Sequence, residues 1–379
     1  MCAVTLDEPF ARSRVSTNGS HLESQAAKMI QDLSEILSAV GKSPEAVESE
    51  DGSRILVLPY GGRVIGLFPP NSGRNFLWTH PALESPESAR VFYDAPSWHN
   101  SGGDRTWIAP EIDFFFPQYP DLNAYWQPRQ IDPGRYAVRR DGESVSLANQ
   151  LHLVIARSKR SVVLQITKSV SAALNPLRYE PCMKLIEGVK YAGYTLNSSL
   201  EYITGETESF SRVGLWNLLQ MPLGGEMLVT THFAVQPTAY MGAPSPDRLT
   251  VGEHLTRYKM SAPGVEKVGF RAATATGRVG YLYPTGDDCA LVVRNFSVNP
   301  SGEYIDTPKL DPTRTGDAFQ ACSVDNAVGS FSELEHHVPA IGDGTGRTRC
   351  NDASQVWAYR GAHAEIKIIA RNLLSPEIS

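Results

Sequence analysis

The run Phe331-Ser-Glu-Leu-Glu-His-His-Val-Pro339 packs two carboxylates and two imidazoles into five consecutive positions. Read as a strand, it sets Phe331, Glu333, Glu335 and His337 on one face and Ser332, Leu334 and His336 on the other. Two carboxylates beside an imidazole make an acid/base surface that an ordinary strand face avoids. Like charges this close push one carboxyl pKa upward, the usual preparation of an acid/base pair. The same run also reads as a solvated strand edge decorated with charge.

Three more segments carry chemistry-bearing residues. In Ser101-Gly-Gly-Asp-Arg-Thr-Trp-Ile-Ala-Pro-Glu111, a Gly-Gly turn leads into an extended run that places Arg105 and Trp107 on one face. An indole covers the apolar C–H face of a sugar while a guanidinium forks onto hydroxyls or a carboxylate. Asp104 and Glu111 add acceptors; a turn ion pair beside a core Trp is the alternative. In Gly73-Arg-Asn-Phe-Leu-Trp-Thr-His-Pro81, Arg74, Asn75 and His80 are candidates to face a ligand, with Phe76 and Trp78 as core. His80 before Pro81 also fits a loop residue with a local hydrogen bond. In the segment from Val213 to Gly225, Trp216 or Asn217 is placed to line a pocket, and core packing explains Trp216 as well. The strand after it carries His232.

These residues need a framework, and its pattern is mainly period two. Leu22, Ala26, Met29, Ile30, Leu33, Ile36 and Leu37 follow helical spacing over residues 20–40, with Ser20 as N-cap and Gly41 as stop. Beyond a Glu-rich connector, alternation predicts strands over 54–58, 62–68, 150–157, 161–170, 226–234, 278–283, 289–296, 330–338 and 355–360. Turn signals such as Pro59-Tyr-Gly-Gly62 and Arg140-Asp-Gly142 separate them. No fixed-period repeat occurs, which argues against propellers and solenoids. The expectation is an all-β fold, a large antiparallel β-sandwich with an N-terminal helix: residues 1–50 as tail and helix, 51–379 as the sandwich domain.

Composition excludes several classes. The 379 residues are 41% hydrophobic and 20% charged, the balance of a globular protein. A net charge of -6 leaves no basic excess for phosphates, so no nucleic-acid partner is expected. The basic cluster Arg157-Ser-Lys159-Arg160 lies between apolar runs and reads as a solvated turn. No apolar stretch is long enough to span a membrane, and the N-terminus lacks a signal-peptide pattern. The expected location is cytoplasmic, or exported with the leader removed. The five cysteines form no CxxC, which argues against a cysteine-built zinc site and, with the odd count, favours reduced thiols.

In this order, the four segments resemble the galactose-mutarotase-like superfamily, in particular a bacterial branch found near carbohydrate-degradation enzymes. Gly102 to Glu111 matches its Gly-Gly-x-Arg-x-Trp-x-x-Pro-Glu segment, and Trp216 to Gly225 its mid-chain Trp segment. Lys267, Gly269 and the strand through Tyr281 match a Lys-x-Gly pair before a Gly-x-x-x-Tyr strand; Glu333 to Glu335 match a late Glu-Leu-Glu. The resemblance implies a β-supersandwich. In sugar 1-epimerases of this superfamily, a late Glu takes the anomeric hydroxyl proton and a mid-chain His protonates the ring oxygen. Glu335, with Pro339 four residues on, is similar to that Glu. The His lies in a Gly-x-His-Pro-Tyr-Phe-like segment, whose counterpart here is Gly214-Leu-Trp-Asn-Leu-Leu219. Trp216 or Asn217 stands in the imidazole's place, and neither delivers a proton near neutral pH.

The expected function is therefore a carbohydrate-active enzyme on a sugar or glycoside, either epimerase-like or cleaving a glycosidic bond by hydrolysis or elimination. Glu335 is the candidate base, with Glu333, His337 and Arg105 completing the catalytic set and the acid drawn from His337, His80 or His232. Arg74, Asn75, His80, Asp104, Trp107, Glu111, Trp216, Asn217 and His232 are the candidate substrate contacts. No cofactor or metal is expected, and the partner is a small sugar or an oligosaccharide. The alternative is a non-catalytic carbohydrate-binding protein on the same fold.

Overall fold

Alternating apolar residues flanked by glycine turns build long strands, and the computed structural model, which describes residues 32–204 and 211–378, arranges them in two large antiparallel sheets. In chain order the first eight strands are β1 (Glu45–Glu48), β2 (Arg54–Leu58), β3 (Arg63–Phe68), β4 (Asp104–Ala109), β5 (Ala137–Asp141), β6 (Ser144–Val154), β7 (Ser161–Ala172) and β8 (Lys190–Thr204). Next come β9 (Gly214–Pro222), β10 (Glu226–Thr231), β11 (Thr238–Met241), β12 (Leu249–Val251), β13 (Leu255–Lys259) and β14 (Gly264–Phe270). The last are β15 (Ala275–Thr285), β16 (Asp288–Asn295), β17 (Phe319–Asn326), β18 (Gly329–His337) and β19 (Arg349–Gly361). One sheet has nine strands in the order β1-β2-β3-β4-β9-β18-β17-β14-β11; the other has ten, β12-β13-β10-β15-β16-β19-β8-β7-β6-β5. The first strand of the nine-stranded sheet, β1, spans Glu45–Glu48 and pairs antiparallel with β2.

The sheets face each other across an apolar core. Leu219, Met221, Leu334, Ala321 and Val268 of the nine-stranded sheet meet Tyr194, Leu196, Val292, Val356 and Ala358 of the ten-stranded one, all buried. Helices cover parts of the outer faces. Helix α1 (Leu33–Ala39) starts at Asp32, whose side chain accepts from the Ser34 N–H at 2.8 Å, and ends before Gly41 at φ 70°. It forms the last part of the helix expected over 20–40; the expected start at Ser20 lies outside the described residues. Together with α2 (Pro86–Asp94), it packs on Leu56, Leu58 and Ile65, on the outer face of β2 and β3. A one-turn helix, α3 (Glu111–Phe114), follows β4. At the other end of the chain, α4 (His363–Leu373) lays Ile366, Ile369, Ala370 and Leu373 on Leu228, Leu291, Trp357 and Tyr359 of the ten-stranded sheet. Its apolar positions recur at helical spacing, but the period-two reading stopped at residue 360 and did not include them.

Among the described residues, Cys182, Cys289, Cys322 and Cys350 are buried free thiols, and no helix is long and apolar enough to cross a membrane.

Leu334 separates Glu333 from Glu335 and points the opposite way, into the fully buried core between the sheets. Leu334→Ala is expected to cost about 2–5 kcal/mol in chemical denaturation, because the rigid sandwich closes only partly around the cavity.

Candidate functional site

The outer face of the nine-stranded sheet is apolar where the helices cover it and charged farther along. Strand register explains how. Across β4, β9 and β18, Trp107, Trp216 and His337 form one row. The next row runs Arg105, Leu218, Glu335, Gln320 and Gly269; the third runs Gln220, Glu333, Cys322 and Lys267. Both carboxylates therefore stand on the central strand, with a cation on either flank. Arg105 reaches diagonally to Glu333 at 2.8 Å, and Lys267 reaches diagonally to Glu335 at 2.8 Å. The Gly102-Gly103 turn makes the first pair possible. Both glycines have positive φ, and a Cβ on either would collide with the carbonyl oxygen of Trp78 or Val64. That tight approach seats the start of β4 against β3 and the Trp78 segment.

The cluster is buried: Glu335 is 1% exposed, Glu333 5%, Lys267 2% and Arg105 3%. Trp216 Nε1 donates to Glu335 Oε2 at 2.8 Å, the same oxygen that Lys267 holds, so these two donors leave Oε1 available. Gln220 donates to Glu333 at 3.0 Å. The Arg105 guanidinium lies over the Trp107 ring, 4.2 Å from its centroid, and nearer to it than to Trp98 at 5.8 Å. His337 stacks on Trp216 with centroids 5.5 Å apart. Glu111 joins at the rim: its N–H donates to Asp306 at 2.7 Å, its carboxylate pairs with Lys309 at 3.2 Å, and Gln320 donates to Asp306 at 2.9 Å. Tyr125, whose ring stacks on Phe115 with centroids 6.1 Å apart, is half-exposed, as is Trp126.

Burial sets the electrostatics. It pushes the Glu335 carboxyl up to about 7; Lys267 opposes this and Glu333 adds to it. Burial alone would lower Lys267, but Glu335, with Glu111 and Asp306 behind it, holds the ammonium above its ordinary range. His337 is driven well below its usual value, first by burial and then by Lys267, so it is neutral at physiological pH. Cys322, also buried, has its thiol pushed far up. The Cys322 sulfur and the Glu333 and Glu335 carboxylates come within 4.8 Å of one another, but Arg105 and Lys267 already face the carboxylates. The arrangement is an acid/base cluster with internal counter-ions.

Several buried polar atoms in this region have no hydrogen-bond partner among the described residues. They include Trp98 Nε1, Asn100 Nδ2, Arg105 Nε, Gln127 Nε2, Gln220 Oε1, Gln320 Oε1 and both His337 ring nitrogens. Unpaired donors and acceptors are costly inside a protein, and their concentration beside the carboxylates marks a place suited to a polar ligand.

Of the residues singled out in the sequence, the structure brings Glu333, Glu335, His337, Arg105, Trp107, Trp216 and Glu111 together. The others lie elsewhere. Asp104 and Asn217 alternate with Arg105 and Trp216, and so face the space between the sheets. There Asp104 pairs with Arg294 at 3.0 Å and accepts from Tyr194 at 2.6 Å. Asn217 accepts from Thr106 at 2.7 Å and donates to Asp352 at 3.4 Å, the carboxylate that His336 holds at 2.8 Å. Asn75 braces its own loop, accepting from Leu67 and Leu77 and donating to Ile65, and Arg74 beside it is exposed. His80 accepts from the Ala82 N–H at 3.1 Å and stacks on Phe92, the local loop role that its position before Pro81 also allowed. His232 is exposed at the end of β10, in the other sheet. Lys267, Gln220 and Gln320 were not assigned to the site. Lys267 alternates with Val268 and Phe270, which is the signal that turns it away from the core.

The chain belongs to the family of unknown function DUF6786, whose model matches residues 32–379. No curated protein matches it. Among solved structures it is similar to a galactose mutarotase related enzyme from Lactobacillus acidophilus, with 9% identity, a TM-score of 0.40, and 84% of this chain and 97% of that one covered. It is similar too to a GalM/aldose epimerase homologue from C. elegans, with 9% identity, a TM-score of 0.41, and 85% and 99% covered. A galactose 1-epimerase from Lactobacillus acidophilus NCFM gives 9% identity, a TM-score of 0.40, and 84% and 95% covered.

The Arg105–Glu333 pair supplies a structural test. Arg105→Met strands a buried carboxylate and is expected to cost about 3–5 kcal/mol by chemical denaturation, with much of the loss recovered in the Arg105→Met/Glu333→Gln double variant. Equal losses in the single and double variants would contradict the pairing.

Proposed function

We propose that this chain is a carbohydrate-active enzyme in which Glu335 is the general base. The observation that carries the reading is a buried carboxyl pushed up to about 7, with one oxygen fixed by Trp216 and Lys267. A base poised near the working pH combines the correct protonation state with a strong pull on the proton. Trp107, Trp216 and Arg105 supply aromatic surface and a planar cation beside it, a combination suited to a sugar ring. Glu111 and the unpaired Gln and Asn side chains supply the hydroxyl contacts.

The relation of the two carboxylates favours chemistry at one anomeric centre over cleavage between two sugars. Glycosidases place their carboxyls on either side of the scissile bond, about 5–5.5 Å apart in retaining enzymes and about 6.5–9.5 Å in inverting ones. Glu333 and Glu335 project from the same strand face, their oxygens within 4.8 Å, and Glu333 is already engaged by Arg105 and Gln220. They make one wall. An epimerase-like reaction, in which Glu335 takes the proton of an anomeric hydroxyl, uses such a wall directly.

A carbohydrate-binding protein without turnover is the second reading. The observation that favours it is that a buried cation neutralises each central carboxylate, an arrangement that also suits a rigid binding surface.

The test is turnover of freshly dissolved free aldoses, followed by polarimetry, and of a panel of glycosides, with binding measured by calorimetry. Glu335→Gln is expected to retain sugar binding and lose about 10²–10⁴-fold in rate. In the wild type, kcat/KM is expected to rise with pH through about 7, because only the deprotonated carboxylate accepts the proton. Sugar binding without turnover across the panel would select the second reading.

A further inference from the structure

We propose that Lys267 is the general acid that complements Glu335, so that this buried ion pair is itself the acid/base couple. The assignment rests on the reading of Glu335 as base. Lys267 Nζ lies 2.8 Å from Glu335 Oε2, both groups are almost fully buried, and the ammonium sits 4.6 Å from the centroid of the Trp216 ring. Two proton transfers at neighbouring atoms need a base and an acid on the same side of the substrate, at neighbouring positions. Glu335 and Lys267 are so placed.

The other candidates on this face are less suited. Arg105 offers a guanidinium, a group that donates hydrogen bonds but does not serve as a proton donor. His337 stacks on Trp216 with neither ring nitrogen bonded to a carboxylate among the described residues, so nothing holds it in the protonated form. His80 and His232 lie outside the cluster. Lys309 faces Glu111 at the rim. Among the described residues on this face, Lys267 is the lysine that pairs with Glu335, and the groups facing it are Glu335, Glu111, Asp306 and Cys322.

The step balances within the pair. Glu335 takes the proton of an anomeric hydroxyl as the carbonyl forms. The bond from the anomeric carbon to the ring oxygen breaks, its electron pair staying on that oxygen, and Lys267 gives the oxygen a proton. A carboxylate and an ammonium become a carboxylic acid and an amine. No net charge is created in the site, and burial favours the neutral products over isolated charges. Taking up the substrate proton removes the negative charge that held the ammonium, so Lys267 becomes a stronger acid as Glu335 becomes protonated. Ring closure on either face of the carbonyl returns both protons.

The experiment compares wild type, Lys267→Arg, Lys267→Ala and Glu335→Gln on freshly dissolved aldohexoses by polarimetry, with sugar binding by calorimetry and folding by circular dichroism. Arginine keeps the charge and a partner for Glu335 but cannot act as the acid. Lys267→Arg is therefore expected to fold and bind sugar while losing about 10²–10⁴-fold in kcat. Lys267→Ala is expected to regain part of its rate as methylamine is added, which a purely structural lysine would not produce. If Lys267→Arg keeps wild-type kcat while Glu335→Gln is inactive, Lys267 is only a counter-ion and this assignment falls while the base stands. If methylamine fails to restore any rate to a folded Lys267→Ala, the assignment falls likewise. A wild type that turns over none of the sugars overturns the base and the acid together.

Discussion

Two carboxylates on one face of a buried central strand cannot stand alone, and the neighbouring strands of the site are arranged around that constraint. Glu333 and Glu335 are flanked by Arg105 from β4 and Lys267 from β14, each reaching across one row to a carboxylate of β18. Removing charges from water costs several kcal/mol per ion, and only close opposite charges with further hydrogen bonds offset it. The pairs are accordingly supported by Trp216, Gln220 and the aromatic face of Trp107. Because burial still dominates at Glu335, its carboxyl remains shifted upward despite the ammonium beside it. Structural support and chemical readiness therefore come from the same residues.

The central strands are polar on both faces, which is unusual for the middle of a sandwich. On the inner face, Asp104, Arg294 and Tyr194 form one connected group, and Thr106, Asn217, His336 and Asp352 another. Asp104, Thr106, Asn217 and His336 alternate with side chains of the outer site, so β4, β9 and β18 carry both, while Arg294, Tyr194 and Asp352 come from the facing sheet. The inner groups are bonded mainly to one another. On the outer face, several donors and acceptors are left without protein partners. Arg294 Nε and His336 Nδ1 of the inner groups also lack partners among the described residues, so the two faces differ in satisfaction by degree.

Much of this was legible in the sequence because strand periodicity is rigid. Alternation through Phe331 to His337 assigned Glu333, Glu335 and His337 to one face and Leu334 to the core, as the structure has them. The Gly-Gly turn likewise announced a tight approach before Arg105. What periodicity did not supply was the choice of face. Asp104 and Asn217 were grouped with the site by residue type, although their neighbours Arg105 and Trp216 occupy the outer face and alternation sends the pair inward. Lys267 was visible only as part of a motif, since its role depends on β14 lying two strands from β18, a long-range pairing that local pattern does not encode. His80 and His232 were chosen because a proton donor was wanted, and both sit where local turns place them.

Glu335 can act as a base near neutrality only where burial outweighs the Lys267 charge beside it. The direct measurement is a titration of the side-chain carboxyl by NMR in protein labelled with ¹³C at glutamate, with the Glu335 resonance assigned by its absence in Glu335→Gln. A midpoint near 7 is the predicted result. A midpoint at or below the ordinary value of 4.5 would mean that the ion pair holds Glu335 permanently charged, and would contradict its role as a base poised near neutrality.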